Sequence, residues 1–188
     1  ARIESGSIAV CGNGVCEEQV YIPMRDNVTL HAMIHRPNVS GQYPTLLLMT
    51  PYMFNGHLNA KKLGYEGYAY VYVQLRGTGC SGGTFENFIN DGKDGYDIVE
   101  WIANQPWSNG KVGLMGHSYE GGAAIRVLAE QPPHLVAAFL TSPVGIDFYR
   151  DMVYRGGIFR EHIPTDWTNS SREMQILNMK LAFQDDAQ

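Results

Sequence analysis

The apolar residues of this chain gather in short unbroken runs, separated by stretches in which they recur every three or four positions. Residues 45–50 (TLLLMT), 69–73 (AYVYV), 112–115 (VGLM) and 136–141 (VAAFLT) are the runs. Such runs, bounded by turn-forming residues, predict strands buried on both faces, as in a parallel sheet. Ahead of them, residues 20–23 and 28–35 flank the turn signal MRDN and predict an antiparallel pair. The intervening segments carry helical spacing. In 96–103, Tyr96, Val99, Ile102 and Ala103 share one face, with Asp91 and Asp94 upstream as capping candidates. In 119–130, Ala123, Ala124, Val127 and Leu128 do the same, and 57–63 is a shorter helical candidate. Strand and helix alternate, which is the pattern of a doubly wound α/β sheet. From residue 147 the pattern breaks down: 147–188 is rich in Arg, Met and aromatics, reads as loosely helical, and predicts no further strand.

Composition narrows the class. The 188 residues are 44% hydrophobic and 18% charged, enough for one domain with its own core. A net charge of −5 leaves no basic stripe to neutralise phosphates, so nucleic acid is not an expected partner. No apolar run is long enough to predict a membrane span. The opening residues ARIESGSIAV carry neither a basic region nor a long apolar one, so no signal peptide is in view, although one could have been removed. Cys11 and Cys16 flank GNGV, a turn-prone loop able to bring them together, while Cys80 stands alone. Glycosylation sequons begin at Asn27, Asn38 and Asn169. Together these favour a secreted or extracellular location over a cytoplasmic one.

Two glycine motifs compete for the chemistry. Gly77, Gly79 and Gly82 in RGTGCSG have the spacing of a dinucleotide fingerprint directly after a strand. That fingerprint needs a helix to begin inside it, so that the helix N-terminus meets the pyrophosphate. Here GTFENFINDG follows, with no helical apolar face, and a glycine-rich strand-end loop is the better reading. The second motif, Gly116-His117-Ser118-Tyr119-Glu120-Gly121, joins a strand directly to a helix with Ser118 at the corner. This is the shape of a nucleophile elbow, with the Tyr119 backbone N–H aimed where an oxyanion would form. The usual Gly-x-Ser-x-Gly spacing fails, because position 120 is Glu. On spacing alone, a tight turn with a capping serine remains the alternative.

The residues around this corner resemble the cocaine-esterase and X-Pro dipeptidyl-peptidase group of α/β-hydrolases. That family writes its serine motif Gly-x-Ser-Tyr-x-Gly, which Gly116, Ser118, Tyr119 and Gly121 match. Further matches are IPMRDNVTL, HRP, TPY at Thr50–Tyr52, RGTGCSGG, DGYDIVEWIANQPWSNGKVGLMG, PPHLVA and YRDMVYRGG, in that order along the chain. The resemblance implies an α/β-hydrolase core over 17–145, an N-terminal extension over 1–16, and the start of a helical cap over 146–188. It implies Ser118 as acyl-accepting nucleophile, with the Tyr52 hydroxyl and the Tyr119 N–H as the oxyanion hole. The substrate would be a small ester, amide or peptide, with no cofactor and no metal. Trp167 is a candidate for lining an acyl pocket, with plain packing as the alternative. One position departs from the family: Gln74 stands where many relatives carry Asp, which predicts altered local hydrogen bonding and unaltered chemistry.

A serine needs a base, and α/β-hydrolases supply it in the order Ser, Asp or Glu, His. In the family the last two lie beyond residue 188. The sheet is therefore expected to stop after about six strands, with residues 136–141 an open apolar edge. The remainder of a longer chain, or a complementing subunit, would complete it. Within these residues Ser118, Asp147 and His162 have the formal order of a triad, although Asp147 also reads as a helix cap. His117 is expected to point away from the serine, and the other histidines lack metal spacing. A catalytically silent scaffold that keeps the fold is the rival to the enzyme.

Overall fold

The computed structural model describes residues 9–52, 60–144, 146–147 and 149–160. The described strands are β1 (Val10–Gly12), β2 (Val15–Pro23), β3 (Thr29–Pro37), β4 (Tyr43–Thr50), β5 (Ala69–Gln74), β6 (Ser108–His117) and β7 (Leu135–Thr141). They form one sheet in the order β1-β2-β3-β5-β4-β6-β7. The first three strands and the β3–β5 contact are antiparallel; β5, β4, β6 and β7 run parallel.

The doubly wound expectation holds, and the order shows where the winding reverses. From β4 the chain passes through α1 (Ala60–Tyr65) to β5 on one side. It then crosses through α2 (Asp91–Ala103) to β6 on the other. β4 is the switch point, and in such sheets ligands bind beyond the carboxyl ends of the strands flanking it. Alternation along β5 explains the layers, since successive side chains point to opposite faces. Tyr70 and Tyr72 pack with Leu46, Leu48 and Leu63 of α1, whereas Val71 and Val73 join Leu47 and Met49 in the main core. That core is closed by Ile98, Val99 and Ile102 of α2 and by Ala123, Ala124 and Val127 of α3 (Tyr119–Glu130). The three large aliphatics of α2 are fully buried, each contributing about 1.5–3 kcal/mol relative to exposure.

Three differences from the sequence expectation have local causes. β1 adds a seventh strand, so residues 10–16, expected ahead of the core, pair within the sheet. The turn is Asn13-Gly14, both at positive φ (49° and 78°), as a two-residue hairpin requires. This sets Cys11 opposite Cys16 in register, and the two form a disulfide with a Cα–Cα distance of 4.0 Å. Second, α2 begins at Asp91 itself. Asp91 and Asp94 are buried residues of its first turn and not caps. Third, β6 starts at Ser108, four residues before its apolar run, pairing with Tyr43 across a register shift.

The expected open edge is present. β7 pairs with β6 alone among the described strands, and its Val136 and Phe139 are exposed. Beyond it, Tyr149–Val153 forms a single π-helical turn and Arg155–Gly157 a 3-10 turn. His162 and Trp167 lie outside the described residues.

Candidate active site

β6 ends at His117, and α3 begins at Tyr119, leaving Ser118 alone at the corner. Its φ of 55° and ψ of −119° lie outside the regions that L-residues populate freely. Such a conformation costs on the order of 1–3 kcal/mol and persists only where surroundings enforce it. The Ser118 N–H donates to the Thr141 carbonyl (3.2 Å), while its carbonyl accepts from the N–H of Gly122 (3.1 Å) and of Val144 (2.9 Å). The corner is thus fastened to the end of β7 and the segment after it.

The displaced glycine of the motif has a steric reason. A Cβ on Gly116 would lie 2.5 Å from the Glu120 carbonyl oxygen, and one on Gly121 would lie 2.9 Å from Pro143 Cα. Both obstacles are backbone, so both positions exclude a side chain. Position 120 carries the half-buried Glu120. Burial raises the pKa of that carboxyl, against hydrogen bonds from the Thr50 side chain and the His117 backbone that hold it down.

Tyr119 sits at the first position of α3, upstream of the first helical bond from Gly122 N–H to the Ser118 carbonyl. Its side chain turns inward and is 1% exposed. The phenol donates to Asp91 Oδ2 (3.1 Å) and accepts from the Phe88 N–H (2.9 Å). Its ring stacks on Phe88 with centroids 4.1 Å apart and planes 12° from parallel. Asp91 is pushed up to about 7, chiefly by burial, with Asp94 adding to the rise and Tyr119 and Arg126 opposing it. Burial and the Asp91 charge drive the Tyr119 phenol far above its ordinary value, so it stays a proton donor.

Tyr52 follows the end of β4, the strand beside β6. Leu48 is level with Met115 in that pairing, so the two strands finish at one rim of the sheet. The Tyr52 N–H donates to Thr50 Oγ1 (3.1 Å), and its carbonyl accepts from the Tyr72 hydroxyl (3.1 Å). Its half-buried side chain packs against the main core. Tyr52 and the Ser118-Tyr119 corner therefore follow the carboxyl ends of neighbouring parallel strands, β4 and β6.

The remaining sequence candidates fall elsewhere. His117 is exposed, with Nδ1 3.0 Å from Thr141 Oγ1. His35 pairs with Glu17 at 3.3 Å and His134 with Glu100 at 2.9 Å. Asp147 accepts from the Arg150 N–H (3.0 Å), the capping role foreseen for it. No metal-holding cluster of His, Cys, Asp or Glu occurs among the described residues.

The glycine-rich loop is a structural clamp. Arg76, 11% exposed, donates to Asp94 (2.6 and 3.0 Å) and to Asp26 (2.7 and 3.2 Å), tying the end of β5 to α2 and to the β2–β3 turn. The nearest helix begins only at Asp91, with two acids in its first turn. Gln74 is buried beneath the same loop. Its Oε1 accepts from the Cys80 N–H (2.8 Å) and lies 3.0 Å from His31 Nδ1, which must then carry a proton.

A family model described as X-Pro dipeptidyl-peptidase (S15 family) matches residues 26–188. The cocaine esterase of Rhodococcus sp. (strain MB1 Bresler) is 35% identical over 119 residues, which cover 60% of this chain and 21% of that protein. Among solved structures, an α-amino acid ester hydrolase is 28% identical with a TM-score of 0.65, covering 76% of this chain and 28% of that one. A CocE/NonD family hydrolase from Staphylococcus aureus is 26% identical with a TM-score of 0.75, covering 92% of this chain and 36% of that one. The chain thus spans between about a fifth and somewhat over a third of the length of these relatives.

Proposed function

The chain belongs to the X-Pro dipeptidyl-peptidase (S15) family, and we propose that it carries the nucleophile and oxyanion hole of a serine hydrolase. The observation that carries this reading is the backbone of Ser118. Its φ of 55° is held by three hydrogen bonds at the junction of a strand and a helix. A turn needing only a cap has no use for that conformation, whereas an elbow uses it to lift Oγ clear of the sheet.

Ser118 Oγ would attack the carbonyl carbon of an ester or amide, passing its proton to a histidine base. Negative charge gathers on the former carbonyl oxygen, where the Tyr119 N–H and the Tyr52 hydroxyl can both donate. Collapse of the tetrahedral adduct expels the alcohol or amine, protonated by the same base, and leaves an acyl group on Ser118. Water, deprotonated by the base, then releases the acid. In this reading the base and its carboxylate partner are supplied by the whole protein. The names of the relatives support small esters, α-amino esters and Xaa-Pro peptides as the substrate classes. The Cys11–Cys16 disulfide supports a secreted location.

Fluorophosphonate labelling of the full-length protein tests the reading. Covalent label on Ser118, lost in Ser118→Ala, is the expected outcome. An unlabelled native protein overturns it and leaves the silent scaffold.

A further inference from the structure

The Tyr119 side chain is held more firmly than its place in a core requires. Packing alone would be served by phenylalanine. Instead the phenol bonds both Phe88 and Asp91, and Phe88 is itself strained. Phe88 has a φ of 61°, a conformation that bulky residues seldom adopt. There its N–H points at the Tyr119 oxygen, its ring stacks on Tyr119, and the Arg126 guanidinium lies 3.9 Å from the ring centroid. The second partner, Asp91, is 3% exposed at the start of α2. A carboxylate there loses hydration, which destabilises the fold unless its partners compensate. Both features concentrate on the residue whose main-chain N–H adjoins Ser118.

We propose that Asp91 is a positioning residue for the oxyanion hole, fixing the direction of the Tyr119 N–H by anchoring the Tyr119 phenol. The proposal rests on the serine-hydrolase reading above. With the phenol tied to α2 and to Phe88, the Tyr119 backbone cannot rotate as the oxyanion forms, so the N–H needs no reorganisation in the transition state. Release of the anchor leaves substrate binding intact and weakens only what the N–H holds.

The experiment compares Asp91→Leu, which removes the acceptor, with Tyr119→Phe and the double variant in the full-length protein. Turnover of a p-nitrophenyl ester gives kcat and KM, and phenylboronic acid, which forms a tetrahedral adduct on an active serine, reports on the oxyanion hole. Each single variant is expected to lose about 10-fold in kcat with KM within about two-fold, because a donor is misaligned and not removed. Boronate affinity should fall by the same factor as kcat/KM. The double variant should be no worse than the weaker single variant, because both remove one interaction.

Unchanged kcat and boronate affinity in either folded variant overturns the positioning role while native labelling at Ser118 leaves the hydrolase reading standing. Additive losses in the double variant, or a fall in stability without loss of boronate affinity, also overturn it. Tyr119→Phe keeps the stacked ring and decides alone if Asp91→Leu does not fold. A native protein that takes no label at Ser118 overturns both.

Discussion

Two glycine-rich segments leave the carboxyl ends of parallel strands in this molecule, and they do opposite work. The one after β5 contains Arg76 and the spacing of a phosphate-binding loop; the one after β6 contains Ser118. What separates them is the distance to the next helix. α3 starts one residue after Ser118, so its first-turn N–H groups crowd around the serine. α2 starts 14 residues after Gly77, and its first turn holds buried carboxylates. Glycine spacing describes where a backbone can bend. Whether the bend faces a helix N-terminus decides its chemistry.

Weakening each corner separates their roles by what is lost. Arg76→Met is expected to destabilise the protein by about 3–5 kcal/mol, since Asp94 is then left buried without its cation. Chemical denaturation reads this as a lower midpoint, while kcat of the folded fraction stays near native. A loss of kcat with stability intact would place Arg76 in the chemistry and dissolve the contrast.

Asp91 gives a pH test of the same region. Its folded-state value is raised from 3.8 to about 7, so the fold favours the neutral acid. Its contribution to stability is fully present below about pH 4 and is lost as pH rises through 7. The loss amounts to roughly 4 kcal/mol, at about 1.4 kcal/mol per pKa unit. The groups facing it are Tyr119 and Arg126 on α3 and Asp94 on its own helix. Asp91→Asn should therefore flatten the stability profile between pH 4 and 8. An unchanged profile would mean that Asp91 ionises as it does in water.

At the Ser118 corner the loss should fall on the chemistry. Tyr52→Phe is expected to cost about 100- to 1000-fold in kcat, as for other single oxyanion donors, with the denaturation midpoint almost unmoved. A loss under about three-fold would remove the Tyr52 hydroxyl from the oxyanion hole.

Much of this was readable from residues alone, and the exceptions are instructive. The four parallel strands lie where apolar runs stand; β5 is buried at every position, as a strand covered on both faces requires, whereas β7 is apolar but largely exposed. The corner at Ser118 was readable because a strand, a glycine, a serine and small residues follow one another without a gap. β1 was not, since a three-residue strand carries no periodicity; only Asn13-Gly14 marks its turn. The role of Asp91 was misread as a cap. An acid before an apolar helix looks the same whether it caps the helix or enters the core.

Neighbouring residues set the backbone: which segments extend, which coil, and where small residues allow the chain to turn sharply. These choices depend on neighbours a few positions away, through sterics and local hydrogen bonding. Tertiary structure decided the pairings. Arg76 meets Asp94 across 18 residues, Tyr119 meets Asp91 across 28, and Arg76 meets Asp26 across 50. Only folding removes water from such groups, and the loss of water turns an ordinary Asp and Tyr into a strong, fixed contact behind the candidate nucleophile.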